Sequence, residues 1–393
     1  MTTAFRWTIA VSLPLLAIGM AVARGKKEVE VPPAPAAVPV EVPLAAPEPE
    51  VAAVPLLFPT ALPIVVDALP PGIASLSAQS CNGCHWAAHD AWASSGHAQA
   101  WSHPTYHAAL KSSLGSTACV ACHLPLAAQH DRLAAGYIED DIARPRLQEN
   151  PSFDLTLMSE GVTCAACHVR GGVVIGVHAS TNSPHPVVAS EELRSSDLCA
   201  TCHQLSWPDS DRPFYDTWGE WKASAYATAG VQCQECHMAP AAGAAQPGTR
   251  SAVASHGSPT TIQRALTAIL QLPDAHITRG QPLDVAVTVL NTGAGHSVPT
   301  GNPFKTWTLE LVAVDAAGKD LAPAHKTVLG RTVEATSPWR TTADDRIVAG
   351  GRKDWTVRLT PNAKGAPGSG ALILRAVRPG ETVVLRRIPI EVR

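Results

Sequence analysis

Ten cysteines fall into five Cys-X-X-Cys pairs, every pair is followed directly by a histidine, and all five lie within the 157 residues from Cys81 to His237. The motifs are Cys81-Asn82-Gly83-Cys84-His85, Cys119-Val120-Ala121-Cys122-His123, Cys164-Ala165-Ala166-Cys167-His168, Cys199-Ala200-Thr201-Cys202-His203 and Cys233-Gln234-Glu235-Cys236-His237, and no cysteine is left over. One helical turn sets two thiols where both vinyl groups of a haem can be reached as thioethers, and the next imidazole then lies under the iron as proximal ligand. The pattern is the attachment signature of haem c, repeated five times. Cys81, Cys84, Cys119, Cys122, Cys164, Cys167, Cys199, Cys202, Cys233 and Cys236 are read as porphyrin anchors, and His85, His123, His168, His203 and His237 as iron ligands.

Cys-X-X-Cys is also a zinc half-site and a thiol-disulfide redox motif. Histidine makes up 16 of the 393 residues, so five unrelated pairs would all be followed by one about once in ten million sequences. A redox motif has no use for that histidine. About 31 residues per motif is too little chain for a conventional core around each cofactor. The haems themselves must supply most of the buried apolar surface, wrapped by short helices and loops, which suits a chain with 5% aromatic residues and 34 prolines. Haems so crowded lie close enough to pass electrons. A formal charge of −3 excludes nucleic-acid binding driven by bulk charge.

A haem with two axial histidines can only exchange electrons, whereas one lacking a sixth ligand can bind and transform a small molecule. Eleven histidines remain after the proximal five: His89, His97, His103, His107, His130, His178, His185, His256, His276, His296 and His325. The count permits complete bis-histidine ligation without requiring it. His89 follows His85 by four residues and on a continuing helix could reach only a neighbouring haem. Trp92-Ala-Ser-Ser95-Gly-His97-Ala98-Gln-Ala100 recurs as Trp221-Lys-Ala-Ser224-Ala-Tyr226-Ala227-Thr-Ala229, which predicts two equivalent helical elements, with His97 a ligand in the first and tyrosine in its place in the second. His296, after Gly293 and Gly295 and before Pro299-Thr300-Gly301, sits in a tight loop at a strand end. There it either reaches back to a haem or hydrogen-bonds its own loop.

The chain opens with Arg6 and an apolar run from Trp7 to Ala23 ending in Ala21-Val22-Ala23, as a secretory signal does. About 17 apolar residues is also near the lower limit for a membrane span, so an uncleaved anchor is the competing reading. Residues 24–72 are built from Pro, Ala, Val and Glu, and behave as a polyproline spacer of about 3.1 Å per residue, at most roughly 150 Å in reach. Beyond a linker after Met238, residues 262–393 show short apolar strands, Leu283–Leu290, Thr306–Val314, Asp354–Leu359, Ala371–Val377 and Thr382–Val392, separated by turn residues. These predict a β-sandwich. The expected organisation is multidomain: signal or anchor (1–23), Pro-rich linker (24–72), a mostly α and irregular haem domain (73–250) and an all-β sandwich (262–393).

The Cys-X-X-Cys-His run followed by Trp-X-X-Ser-X-His-Ala-X-Ala, the Gly161-Val162-Thr163-Cys164 lead-in, Glu220-Trp221, Cys233-Gln-Glu-Cys236-His237-Met238 and the Asn291 to Gly301 segment resemble exported multihaem cytochromes c related to the tetrahaem cytochrome of ammonia oxidisers. The resemblance covers roughly residues 78 to 310. It implies electron transfer between redox partner proteins, His97 as a distal ligand, and His178, His185 and His256 as further ones. This chain departs from it in carrying five motifs instead of four. The expectation is an exported, periplasmic carrier of five covalent haems, soluble or tethered to the inner membrane. The competing expectation is a haem reductase or oxidase acting on a small nitrogen oxide at one open haem. Because every motif ends in His, none is the lysine-ligated haem common in pentahaem nitrite reductases.

Overall fold

The structure is a computed structural model that describes residues 63–111, 117–139, 141–207, 213–242, 252–257, 261–334 and 340–393. All of them fall within one compact unit, Ala52–Arg393. The signal or anchor segment and most of the Pro-rich linker lie outside the described residues. Ile64, inside the stretch that composition assigns to the linker, is buried at 3% exposure. Its backbone bonds Pro125 O (2.7 Å) and Ala127 N (2.7 Å), so packed chain begins before residue 73.

Through the haem region run nine short helices among the described residues: α1 (Ala78–Ala93), α2 (Pro104–Lys111), α3 (Thr117–His123), α4 (Leu155–Ser159), α5 (Ala165–His168), α6 (Asp197–His203), α7 (Thr217–Lys222), α8 (Ala225–Thr228) and α9 (Cys233–His237). Four small sheets are interleaved with them: β1 (Arg132–Ile138) with β2 (Asp141–Glu149); β3 (Val169–Arg170), β4 (Val173–Gly176) and β5 (Val187–Ala189); β6 (Gln204–Ser206) with β7 (Pro213–Asp216); and β8 (Pro240–Ala242) with β9 (Ala252–Ala254). The region is thus less purely helical than expected. The physical cause is local: each Cys-X-X-Cys-His turn must stop at its histidine, and after α5 and α6 the chain turns straight into strands β3 and β6. In α1 the helix breaks at His85 (φ −107°, ψ 36°) before resuming to carry Trp92.

Single polar side chains tie the motifs together. Glu160 accepts from Ser77 Oγ (2.5 Å) and Ala78 N (2.8 Å) at the start of α1, and from Thr163 Oγ1 (2.6 Å) beside the third motif. A carboxylate there also suits the positive end of the α1 dipole. Gln129, fully buried, donates to Leu157 O (2.9 Å) and Gly161 O (2.6 Å). Ser196 donates its hydroxyl to Gln232 Oε1 (2.8 Å) and accepts from Cys233 N (2.9 Å), joining the fourth motif to the fifth.

The carboxyl-terminal region begins with a short turn of helix, α10 (Ile262–Ala265), and continues as strands β10 (Leu266–Gln271), β11 (His276–Ile277), β12 (Leu283–Asn291), β13 (Trp307–Asp315), β14 (His325–Leu329), β15 (Arg331–Glu334), β16 (Arg340–Asp344), β17 (Arg352–Leu359), β18 (Gly368–Arg378) and β19 (Glu381–Val392). One sheet has the order β10-β12-β17 and the other β11-β19-β18-β13-β14, with β11 and β19 parallel and the remaining pairs antiparallel. Alternation drives the packing. Leu266, Ala268 and Leu270 from β10, Val285, Val287 and Val289 from β12, and Leu309, Leu311, Leu372 and Leu374 from β13 and β18 form one buried cluster. The five strands expected from sequence correspond to β12, β13, β17, β18 and β19, and β10, β11, β14, β15 and β16 come in addition.

Candidate functional site: five attachment motifs and their facing imidazoles

All sixteen histidines lie among the described residues, so each can be placed. Four proximal imidazoles face a second histidine. The ring centroids are 6.1 Å apart for His85 and His185, 6.2 Å for His203 and His97, 6.2 Å for His168 and His256, and 6.1 Å for His237 and His296. Direct ring packing would not repeat one spacing four times at four different tilts. A metal ion held between two ring nitrogens would, since two bonds of about 2 Å and about 1 Å from each nitrogen to its centroid sum to about 6 Å. The donor set therefore fits iron with two axial imidazoles.

Protonation agrees with that fit. Burial pushes His168 and His203 down to about 4, and it lowers His97, His185, His237 and His256 as well. Neutral imidazole keeps the lone pair that a metal needs. Several rings are also oriented by a carbonyl: Nδ1 of His168 donates to Ile175 O (2.8 Å), that of His256 to Ala254 O (2.9 Å) and that of His296 to Ser297 O (2.9 Å). Each such bond leaves Nε2 to the metal. For His296 the bond to its own loop is present, and the same ring faces His237.

His178, expected as a further ligand, is exposed on the turn after β4, and no motif imidazole faces it. His256 faces His168. His89 is buried against Trp92 and Gln79. The internal repeat is structural as well as sequential. Trp92 Nε1 donates to Val162 O (2.8 Å) and Trp221 Nε1 to Val231 O (2.9 Å), while Val162 N donates to His97 O (3.0 Å) and Val231 N to Tyr226 O (2.9 Å). Each helix docks on a Gly-Val-X-Cys lead-in, with Gly161 at φ 60° and Gly230 at φ 79°. The outcomes diverge at the last residue. His97 faces His203, but Tyr226 donates its hydroxyl to Thr292 O (2.7 Å) in the sandwich.

The second motif differs from the other four. No second imidazole stands opposite His123; instead the Tyr106 ring stacks flat on it, with centroids 3.8 Å apart and planes at 11°, and its Nδ1 donates to Ala100 O. Trp101 and His107 pack around Tyr106. Burial, then the nearby Cys119 and Cys122, raises Tyr106, and the same causes push Tyr215 up to about 12. The Tyr106 hydroxyl is buried with no hydrogen-bond partner among the described residues.

Thiols of different motifs approach one another, which sets the neighbour order. Cys164 lowers Cys81, Cys202 lowers Cys122 and Cys199 lowers Cys233, so the thiols of each pair are close enough to shift one another's ionisation. The charge of Cys167 in turn raises both Cys199 and Cys202. The first motif therefore adjoins the third, the third adjoins the fourth, and the fourth adjoins both the second and the fifth. Cys84 of the first motif is the one exposed cysteine of the ten.

The family model described as cytochrome c554 and c-prime matches residues 80–143. Among solved structures, a penta-heme cytochrome c552 from Thermochromatium tepidum is similar with a TM-score of 0.55 and 18% identity, covering 82% of this chain and 100% of that one. The CARDB domain of a Pyrococcus furiosus protein, solved with di-metal ions, covers 33% of this chain and 87% of its own at 16% identity and a TM-score of 0.20. No curated protein matches the chain. Five complete attachment motifs, four of them faced by a second imidazole, thus stand beside a local match to the cytochrome c554 and c-prime family model and a fold similar to that of a penta-heme cytochrome c552.

Proposed function

We propose that the chain is an exported carrier of five covalent haems that passes electrons between redox partner proteins. The observation that carries this is the fourfold imidazole pairing at 6.1 to 6.2 Å, since doubly ligated iron has no position left for a substrate and exchanges only electrons. His97, His185, His256 and His296 are the distal ligands, and the ten motif cysteines hold the porphyrins. The neighbour order gives a branched path, from the first motif through the third to the fourth and from there to the second and fifth. Exposure of Cys84, and of Trp86 at 48%, supports exchange with a partner at the first haem. Export is supported by the leader and by haem attachment taking place outside the cytoplasmic membrane, and the Pro-rich segment then serves as tether or tail.

Intact mass of the purified protein should correspond to five haems, and a reductive titration should take up five electrons per chain. Fewer haems, or zinc in their place, would defeat the proposal. A second reading is favoured by the absence of any imidazole opposite His123: the haem of the second motif keeps an open position and binds a small ligand such as a nitrogen oxide. Carbon monoxide should then bind the reduced protein at one haem in five, and an absence of binding would remove that reading.

A further inference from the structure

The loop that presents His296 is held from outside the sandwich. Glu220, on α7 in the haem region and only 10% exposed, accepts from Ser297 N (3.0 Å) and Thr300 Oγ1 (2.8 Å) through Oε2 and from Arg346 Nη1 (2.5 Å) through Oε1. Arg346 is fixed in turn by a bidentate pair with Asp344 (2.8 and 2.7 Å). From the sandwich side the buried Asn291 donates to His296 O (2.8 Å) and Ile347 O (3.0 Å). Thr300 Oγ1 also lies 2.9 Å from Thr217 Oγ1 at the start of α7. At Gly295 a Cβ would meet Tyr226 Cβ at 3.2 Å and Trp221 Cδ1 at 3.3 Å, so the loop lies directly on α7 and α8. His296 is thus gripped between Asn291, the last residue of β12 before its loop, and a carboxylate of the opposite region.

We propose that Glu220 is the positioning residue for the distal ligand of the fifth haem: it holds the Ser297 to Thr300 segment against α7 and thereby keeps His296 facing His237. This rests on the reading of His296 as a ligand. Its consequence is that ligation of one haem depends on docking of the sandwich, which makes that domain part of the electron path and not an appendage. The carboxylate is suited to the task because both oxygens are used and its charge is neutralised by a buried arginine, which avoids an unpaired buried anion.

The test compares Glu220→Ala, Glu220→Gln, Thr300→Val and His296→Ala in the full five-haem protein, by electron paramagnetic resonance of the oxidised form and by redox titration, with circular dichroism to verify folding. Glu220→Ala should convert one low-spin haem to high-spin, the same haem that His296→Ala converts, and added imidazole should restore the low-spin signal in both. Glu220→Gln keeps a carbonyl oxygen for Ser297 N and Thr300 Oγ1, so it should stay low-spin with a shifted potential at that haem alone. Thr300→Val, the mildest change, should shift the same low-spin signal and keeps the proposal testable if Glu220→Ala loses haem. Wild-type spectra and potentials in Glu220→Ala and Thr300→Val, beside an altered His296→Ala, would overturn the proposal alone. An unaltered His296→Ala would overturn the ligation reading and the proposal with it.

Discussion

Gly161 and Gly230 occupy the same place in the two copies of the repeated unit, and replacing each by alanine separates two costs that usually arrive together. Both have positive φ, 60° and 79°. Placing an alanine there costs about 1–2 kcal/mol, of which about 0.4–1 kcal/mol is returned by the stiffer unfolded chain. For Gly230, where a Cβ would meet nothing within 4 Å, the net loss should be about 0.5–1.5 kcal/mol. At Gly161 the Cβ would stand 2.8 Å from His97 O, 3.1 Å from Ala98 O and 3.2 Å from Ala100 N. Those are backbone atoms that cannot swing away, so overpacking adds about 1–3 kcal/mol. Gly161→Ala should therefore lose about 2–4 kcal/mol, or about 5–15 °C in Tm, at about 2–4 °C per kcal/mol. Because His97 is the atom group pushed, the low-spin signal of the fourth haem should broaden or fall in Gly161→Ala and stay intact in Gly230→Ala. Thermal melts followed by far-ultraviolet dichroism, with spin state recorded on the same samples, give both readouts. Equal Tm losses in the two variants, or a larger loss in Gly230→Ala, would refute the reasoning.

Three further outcomes are expected. Tyr226→Phe removes only the bond to Thr292 O; it should cost about 1 kcal/mol in chemical denaturation and leave every haem spectrum unchanged. His178→Ala should likewise leave all haems as they are, because its side chain is exposed and faces no motif imidazole; loss of a low-spin signal would restore it as a ligand. Burial pushes Asp344 up, but the hydrogen bonds and charge of Arg346 outweigh this and hold it below its ordinary 3.8. A depressed carboxylate stabilises the folded state fully above that value and loses its contribution as pH falls through the lowered one. Proteolysis near residues 240 to 260 should thus be steady from neutral pH down to about pH 4 and rise only below it.

What the sequence disclosed followed from covalent spacing and from period. The cysteines and proximal histidines were legible because their chemistry lies within five consecutive residues, and β12, β13 and β17 to β19 because one face of each strand is apolar. The facing imidazoles were harder, since each pair joins residues far apart in the chain: His85 with His185, His168 with His256, His203 with His97. The recurrence of Trp-X-X-Ser located the second helical unit, yet only the structure reveals that its tyrosine serves the sandwich. Glu160, Gln129, Ser196 and Glu220 left no recognisable trace, as an isolated polar residue reads as surface until its partners are known. The glycines before His296 suggest a turn, but neither has positive φ. They are small because Arg264 O and the Trp221 and Tyr226 side chains lie against them.

The most direct test of the account is a quantitative electron paramagnetic resonance spectrum of the fully oxidised protein, integrated against its haem content. Four imidazole pairs and one proximal histidine without a facing imidazole predict four low-spin ferric haems and one high-spin haem per chain. Five low-spin haems would show that the second motif finds a sixth ligand after all, and two or more high-spin haems would contradict the paired-imidazole arrangement itself.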